Sequence, residues 1–212
     1  GFRLQAEDIA ARITPRSRAI LLNTPHNPTG AVLTRQDIRD IGALARAHDL
    51  WIISDEVYEE LIFEGVPFAS PLAEPDLAER TVIVSSISKS HAAPGFRSGW
   101  AIGSTEFTSN LLALSETMLF GSQPFLADAT AQAVAAPSAI APGMRQRFAA
   151  RAAYLAARLE AESALRVSRP QAGMFALIHI SSTGMNAASY AADLLETAGV
   201  AVMPGTSFGA TL

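Results

Sequence analysis

The sequence of 212 residues contains no cysteine and only one lysine, Lys89, although it has 16 basic residues. The absence of cysteine excludes disulfides, zinc–thiolate sites, iron–sulfur clusters and a cysteine nucleophile. The other basic residues are arginines, and arginine can replace lysine as a surface charge but not as a primary amine. An amine can lose its proton and attack a carbonyl, whereas a guanidinium stays protonated. Lys89 is therefore a candidate for covalent chemistry, and the alternative is a surface lysine without a chemical role.

The sequence also lacks the features of several functional classes. It has no uninterrupted apolar run of the roughly 18 residues that cross a membrane, and its first residues do not resemble a signal peptide. The formal net charge of −4 is unfavourable for coating nucleic acid. Four scattered histidines have no spacing typical of a metal site. We therefore expect a cytoplasmic protein without a metal site and with neither nucleic acid nor a membrane as a partner.

Short apolar runs alternate with amphipathic segments along the chain. Near-continuous apolar strands separated by helices are typical of a mostly parallel sheet covered on both faces. We therefore predict an α/β fold in which residues 1–136 form a mostly parallel sheet flanked by helices. Residues 137–212 are predicted to form a linking helix and a small α/β C-terminal domain. The predicted strands are 18–23, 50–54, 81–85, 100–102, 174–180 and 200–203, and the main predicted helices are 34–48, 104–136 with a break at 121–124, 142–162 and 186–198.

Polar clusters lie next to four of these strands, and ligands of open α/β sheets bind at the carboxyl ends of strands. Asn27 lies in a loop rich in proline after the first strand, where an ordinary tight turn is the alternative interpretation. Asp55 ends the second strand. A carboxylate there needs a cationic or protonated partner, unless it caps a helix. After the third strand, Lys89 lies among serines, eight residues before Arg97.

This set of residues meets the chemical requirements of one cofactor, pyridoxal 5'-phosphate. Hydroxyl groups, loop amides and an arginine together make a phosphate site. The cofactor's aldehyde needs an amine, its phosphate needs an anchor, and its pyridine nitrogen needs a carboxylate in order to stay protonated. The sequence therefore predicts a pyridoxal-phosphate site at this edge of the sheet.

Five segments carry a family resemblance: NTPHNPTG (23–30), SDEVYEELIFEG (54–65), SSISKSHAAPGFRSGW (85–100) and, more weakly, PQAGMFALI (170–178) and GVAVMPGTSFG (199–209). In motif order, spacing and strand context, the chain resembles the class I/II aminotransferases, which are fold type I pyridoxal-phosphate enzymes. Its segments are most similar to those of arginine–pyruvate and related bacterial amino-acid transaminases. The resemblance implies part of the large cofactor-binding domain, followed by a truncated small domain.

The resemblance also implies a role for each matching residue. Lys89 forms the imine with the cofactor and then moves the proton at the substrate α-carbon. Asp55 pairs with the pyridinium nitrogen, while Tyr58 and Asn27 hydrogen-bond the ring 3-oxygen. Asn27 also contacts the substrate. The phosphate is held by Ser86, Ser88 and Arg97. Ser98 departs from the apolar residue that is usual after the phosphate-binding arginine.

Family members are roughly twice this length, well above the ~150 residues of a typical domain. Their earlier half supplies a phosphate loop and an aromatic residue that stacks on the cofactor. Their substrate-carboxylate arginine follows the segment that matches 199–209. Because the chain also lacks an initiator methionine, we expect a fragment that is inactive alone and that forms a homodimer when intact.

The expected reaction is transamination between an amino acid and a 2-oxo acid. A carbon–sulfur lyase with the same fold and cofactor is the alternative enzyme, and a regulatory module or inactive fragment is the third. Around the site, Glu56, Glu59 and Glu60 are expected to be a solvated charge run. His91 is expected to be a solvated loop histidine, and an approach to the phosphate or substrate is the alternative. Met174 and Phe175 are expected in a core strand.

Overall fold

A computed structural model describes residues 2–121 and 123–209. The order of strands and helices follows the predicted alternation, with short 3₁₀ turns between several of them. In chain order the elements are α1 (Ala6–Ala10), β1 (Ala19–Asn23), α2 (Arg35–Ala47), β2 (Trp51–Asp55), β3 (Thr81–Ser86), α3 (Ile87–Ser90), β4 (Gly99–Ile102), α4 (Thr105–Leu119), α5 (Pro124–Val134), α6 (Ala141–Glu162), β5 (Arg166–Ser168), β6 (Leu177–His179) and α7 (Ala187–Ala198).

The first four strands form one sheet in the order β1-β2-β3-β4. Strands β1, β2 and β3 are parallel, and β4 runs antiparallel to β3. The predicted mostly parallel sheet is therefore confirmed. Because β4 runs the other way, its first residue lies at the same sheet edge as the last residues of the three parallel strands.

Helix α2 covers one face of this sheet. Thr34 caps the helix as predicted: its hydroxyl accepts from the Asp37 amide, and the Asp37 carboxylate accepts from the Thr34 amide. Ile38 and Ile41 face inward and pack against Ile52 of β2 in the main core. Burial of an aliphatic side chain contributes roughly 1.5–3 kcal/mol, so this helix holds the central strands in place.

Helix α4 leaves most of its apolar side chains in solvent. None of its residues is buried, and the side chains of Leu112 and Met118 are 60% and 74% exposed. Phe120, directly after the helix, is 93% exposed. Contiguous exposed apolar surface is typical of an interface with another chain or another part of the same protein.

The last part of the described chain differs most from the expectation. Strand β6 covers only the end of the segment predicted as 174–180, and its antiparallel partner β5 was not predicted. Residues 200–203, also predicted as a strand, have no regular structure. A strand needs a hydrogen-bonded neighbour, and none of the residues that the structure describes pairs with this segment. Met174 is exposed outside any strand, so its expected place in the core is wrong.

A long-range contact fixes the loop that carries Asn27. The Gln171 amide donates to the Gly30 carbonyl oxygen (2.9 Å), and the Phe63 amide donates to the Gln171 carbonyl oxygen (2.9 Å). Gly30 has φ of +68°, and a Cβ there would lie 2.4 Å from the Cβ of Pro170. Only glycine satisfies both constraints. Residues from the end of the chain therefore support a loop near its start.

No helix in the described part of the chain is both long and apolar enough to span a bilayer.

Candidate active site

The strand register gathers the polar residues at one edge of the sheet. Asn23 of β1 lies opposite Asp55 of β2, and Asp55 lies opposite Val84 of β3. At the other end of this row, Ser86 of β3 lies opposite Gly99 of β4. The segments that follow the strands carry the remaining predicted site residues, so the sheet brings separate parts of the sequence to one place.

Asp55 is held in position by its own turn. Its Oδ1 accepts from the Val57 amide at 3.1 Å, and none of the described residues donates to the second carboxylate oxygen, so that oxygen is available to a ligand. The neighbouring Asn23 was not predicted as a site residue. Its amide donates to the Asp55 carbonyl oxygen (3.2 Å), and its Oδ1 accepts from the Asn27 amide (2.8 Å). Asn23 therefore ties the loop that carries Asn27 to the end of β2.

Tyr58 forms the wall of the site beside Lys89. Its ring is buried, and the Lys89 Nζ lies 5.9 Å from the ring centroid. Phe175 packs edge-on against the same ring, with centroids 5.2 Å apart. Burial raises the pKa of the Tyr58 hydroxyl, the nearby Asp55 charge raises it further, and a hydrogen bond with the Asn27 side chain acts in the opposite direction. Four predicted site residues are thus neighbours.

Phe175 was expected in a core strand, but it precedes β6 and supports Tyr58 instead. Sequence separation hides this contact, because the two rings are more than a hundred residues apart. The weak similarity of the 170–178 segment was the one signal that pointed to this part of the chain.

Ser86 and Ser88 form a compact hydroxyl pair at the start of α3. Ser86 Oγ accepts from the Ser88 amide (3.0 Å), and the two hydroxyl oxygens are 2.7 Å apart. Arg97 follows a 3₁₀ turn and is exposed, with one guanidinium nitrogen donating to the Pro94 carbonyl oxygen (3.0 Å). No carboxylate in the described part of the chain lies within 4 Å of Arg97, so its remaining donors are free for an anion.

Lys89 is half-buried in α3, with Tyr58 beneath its ammonium group. Among the residues that the structure describes, no carboxylate forms an ion pair with Lys89. A half-buried lysine over an aromatic ring is not typical of a side chain that serves only as a surface charge. The amine is instead placed where a carbonyl compound can reach it, beside a phenol that can hydrogen-bond the same compound.

The donor set fits pyridoxal phosphate. It offers a primary amine for the aldehyde, a carboxylate for the ring nitrogen, and a phenol and an amide for the ring oxygen. Two hydroxyls and a guanidinium are available to bind the phosphate. Within residues 2–121 and 123–209, no three histidine, aspartate or glutamate side chains are arranged to hold a metal ion.

The model of the family "aminotransferase class I and II" matches residues 1–211. The chain belongs to this family. Members of the class I and II aminotransferase family use pyridoxal 5'-phosphate, which agrees with the donor set.

The similar proteins are aminotransferases whose names give different substrates. The chain is 44% identical over 209 residues to the arginine–pyruvate transaminase AruH of Pseudomonas aeruginosa, covering 99% of this chain and 53% of that protein. Aspartate aminotransferase from Thermus thermophilus with maleate has a TM-score of 0.90 at 33% identity, covering 98% of this chain and 54% of that one. An aromatic aminotransferase from Pyrococcus horikoshii has a TM-score of 0.89 at 29% identity, with 98% and 56% covered. The chain spans about half the length of these relatives.

Glu56, expected in a solvated charge run, is instead 3% exposed. Its Oε1 accepts hydrogen bonds from the hydroxyls of Ser54 (2.9 Å) and Ser70 (2.8 Å). Burial is the main cause that raises the pKa of the Glu56 carboxyl, to about 7; the charges of Glu59 and Asp55 raise it further, and the two serine bonds oppose them. The expectation for Glu56 is wrong because the residue alternates inward after β2, whereas Glu59 is exposed as expected.

The raised pKa of Glu56 makes stability depend on pH. The folded state binds the proton more tightly than the unfolded state, so this group's contribution is present below about pH 4.5 and is lost as pH rises to about 7. The free energy of unfolding of the wild-type protein should therefore fall by roughly 2 kcal/mol between pH 5 and pH 8 because of this group, and in Glu56→Gln this fall should be absent. Urea unfolding at both pH values measures it, with Glu64→Gln as an exposed control. A wild-type profile for Glu56→Gln contradicts the assignment.

The histidines next to the site are held by protein groups. His91, expected to be solvated, contacts the Ser90 hydroxyl through Nδ1 (2.9 Å) and the Ala133 carbonyl oxygen through Nε2 (3.0 Å). His26 contacts the Thr29 hydroxyl (2.8 Å), and burial lowers its pKa. The expectation for His91 is wrong because α5 packs against the segment after α3. Both side chains stabilise the loops that carry the site.

Proposed function

We propose that the full-length protein containing this chain is a pyridoxal-phosphate-dependent aminotransferase that moves an amino group between an amino acid and a 2-oxo acid. This chain contributes the side of the site that carries the lysine. The observation that supports the proposal most strongly is the grouping of Lys89, Tyr58 and Asn27 beside Asp55 at the carboxyl edge of the sheet. Family membership supports the same conclusion.

When bound, pyridoxal phosphate supplies an aldehyde that reacts with primary amines and a ring that accepts electrons from the substrate α-carbon. Lys89 would provide the amine that anchors the cofactor, and its amine would take up and return the proton at the substrate α-carbon. Asp55 would hold the proton on the ring nitrogen with its carboxylate. Tyr58 and Asn27 would donate hydrogen bonds to the ring 3-oxygen, and the Lys89 ammonium group lies over the face of the Tyr58 ring.

Ser86, Ser88 and Arg97 are the proposed phosphate ligands. Arginine suits this role because its planar guanidinium binds two phosphate oxygens at once, and hydroxyl groups add directional donors. Asn27 is also proposed to orient the substrate carboxylate. We further propose that residues 1–136 belong to the large cofactor-binding domain, and that residues 137–212 form the linking helix and part of the small domain.

The substrates to test are inferred from a relative, and the assembly is inferred from the exposed surface of this chain. Arginine and pyruvate are the first donor and acceptor to test, because the relative that is 44% identical is named for them. The exposed apolar side chains on and after α4 are compatible with a homodimer. A cytoplasmic location is expected. The names of the relatives favour transamination over a carbon–sulfur lyase.

The full-length protein distinguishes the two reactions by its need for an acceptor. We expect loss of arginine, or of another amino donor, only when a 2-oxo acid is added, with the matching new amino acid formed in equal amount. Chromatographic quantification of both amino acids over time measures this. Release of pyruvate and ammonia from a cysteine-type substrate without an added 2-oxo acid would support the lyase instead.

A further inference from the structure

The hydroxyl of Ser98 has a specific partner in another helix. Thr130 of α5 is buried, and its hydroxyl oxygen lies 2.7 Å from Ser98 Oγ. The Leu126 carbonyl oxygen lies at the same distance and can only accept, so the single Thr130 proton is donated to it and the Ser98 hydroxyl donates to Thr130 Oγ1. A buried hydroxyl needs such partners, because an unpaired one costs free energy. The hydroxyl of Ser98 is therefore matched by the hydroxyl of a threonine 32 residues away.

The backbone of Ser98 contacts the hydroxyl pair on the other side. Ser86 Oγ donates to the Ser98 carbonyl oxygen at 2.7 Å, while Ser86 also accepts from the Ser88 amide. The next residue, Gly99, packs so closely that a Cβ there would lie 2.6 Å from the Ser85 carbonyl oxygen. Ser98 thus joins α5 to the serines at the end of β3, with little free space between the two strands.

Arg97, directly before Ser98, has a strained backbone. Its φ of +50° lies in the left-handed region, which disfavours residues other than glycine by roughly 1–3 kcal/mol. Such a conformation persists only where neighbouring contacts hold it. On one side Arg97 is held by the turn that begins at Pro94, and on the other by Ser98. The Ser98 contacts therefore help to fix the backbone position from which the Arg97 side chain extends.

We propose that Thr130, acting through Ser98, is a positioning residue for the phosphate group of the cofactor. Its hydroxyl holds Ser98, the residue directly before β4, so that Arg97 and Ser86 keep their relative position. Helix α5 thereby sets how tightly the phosphate is bound, although Thr130 itself does not touch it. This inference rests on the proposed function, since it concerns the phosphate subsite of the same cofactor.

The test compares two forms of the cofactor in the full-length protein. Pyridoxal lacks the phosphate, so the ratio of its Kd to the Kd of pyridoxal phosphate measures the phosphate contribution alone. Thr130→Val keeps the shape but removes the hydroxyl, and we expect it to lower this ratio about five- to tenfold, the size of one hydrogen bond. Thr130→Ser restores the hydroxyl and should restore the ratio. Fluorescence titration measures both Kd values.

Each outcome decides between the two levels of the proposal. If the wild-type protein binds pyridoxal as tightly as pyridoxal phosphate, the proposed function fails. If the wild type prefers the phosphate form and Thr130→Val keeps the same ratio, the proposed function stands and the role of Thr130 is wrong. Equal weakening of both ligands by Thr130→Val also overturns that role, because it indicates a general loss of structure and not a phosphate-specific effect.

Discussion

Lys89→Arg is expected to abolish transamination by the full-length protein, with a loss of at least about 10⁴-fold. General acid–base catalysis alone contributes about 10²–10⁴-fold, and the covalent anchor is lost with it. Arginine keeps the positive charge but cannot lose its proton to attack an aldehyde. The substitution therefore separates the chemistry of the amine from its charge. Steady-state rates with an amino donor and a 2-oxo acid measure the loss.

The structure explains why this variant should still fold. Lys89 is only half-buried, and its ammonium group lies over the face of the Tyr58 ring. A guanidinium makes the same kind of contact with an aromatic ring. A second variant controls for lysine content. Arg151 is exposed on α6, so Lys89→Arg combined with Arg151→Lys restores one lysine at a distant position. We expect this double variant to be as inactive as Lys89→Arg. Recovery of activity in it would disprove the assignment of Lys89.

Asp55→Asn is expected to lower the rate about 10³-fold while the cofactor stays bound. Removing one partner of a buried charge pair costs roughly 2–5 kcal/mol, and each 1.4 kcal/mol is a tenfold change in rate. Asparagine retains an oxygen that accepts from the Val57 amide, so the turn after β2 is preserved. The lost property is the negative charge that holds a proton on the ring nitrogen. Asp55→Ala should be at least as slow, since it loses the turn contact as well.

Cofactor binding and rate have to be measured separately for Asp55→Asn. Equilibrium dialysis with pyridoxal phosphate gives the bound fraction, and the rate is then taken at saturation. Asp49→Asn removes the same charge from an exposed position and should retain the wild-type rate. A rate for Asp55→Asn within tenfold of wild type would show that Asp55 does not stabilise the protonated ring.

The sequence was sufficient for features that depend on local pattern. The short apolar runs predicted β1 to β4 within a residue or two, and Thr34 predicted the start of α2. The proposed site residues, which the family resemblance names, become neighbours because parallel strands end at one edge of the sheet, and residues that follow such ends lie close together whatever their separation in the sequence. Asn27, Tyr58 and Lys89 are examples, although 62 residues separate the first from the last.

Features that depend on distant packing were missed. The contact of Phe175 with Tyr58, the close approach of Pro170 to Gly30 and the strand β5 all require knowledge of how the end of the chain folds back. The prediction for Glu56 was wrong because a run of acidic residues suggests solvent exposure. In the structure the carboxyl is buried, and hydrogen bonds from two serine hydroxyls compensate for its lost hydration. The two serines cannot be recognised as hydrogen-bond partners of Glu56 from the sequence, because that requires knowing where the segment that ends at Ser70 lies in the fold.

Chemical trapping of the cofactor tests the central claim most directly. The full-length protein is incubated with pyridoxal phosphate, reduced with borohydride, digested with trypsin and analysed by mass spectrometry. We expect the reduced cofactor on residue 89 alone, in a peptide covering 81–97 that trypsin leaves uncut at the modified lysine. Attachment at any other residue, or full activity without a reducible attachment at residue 89, would contradict the account.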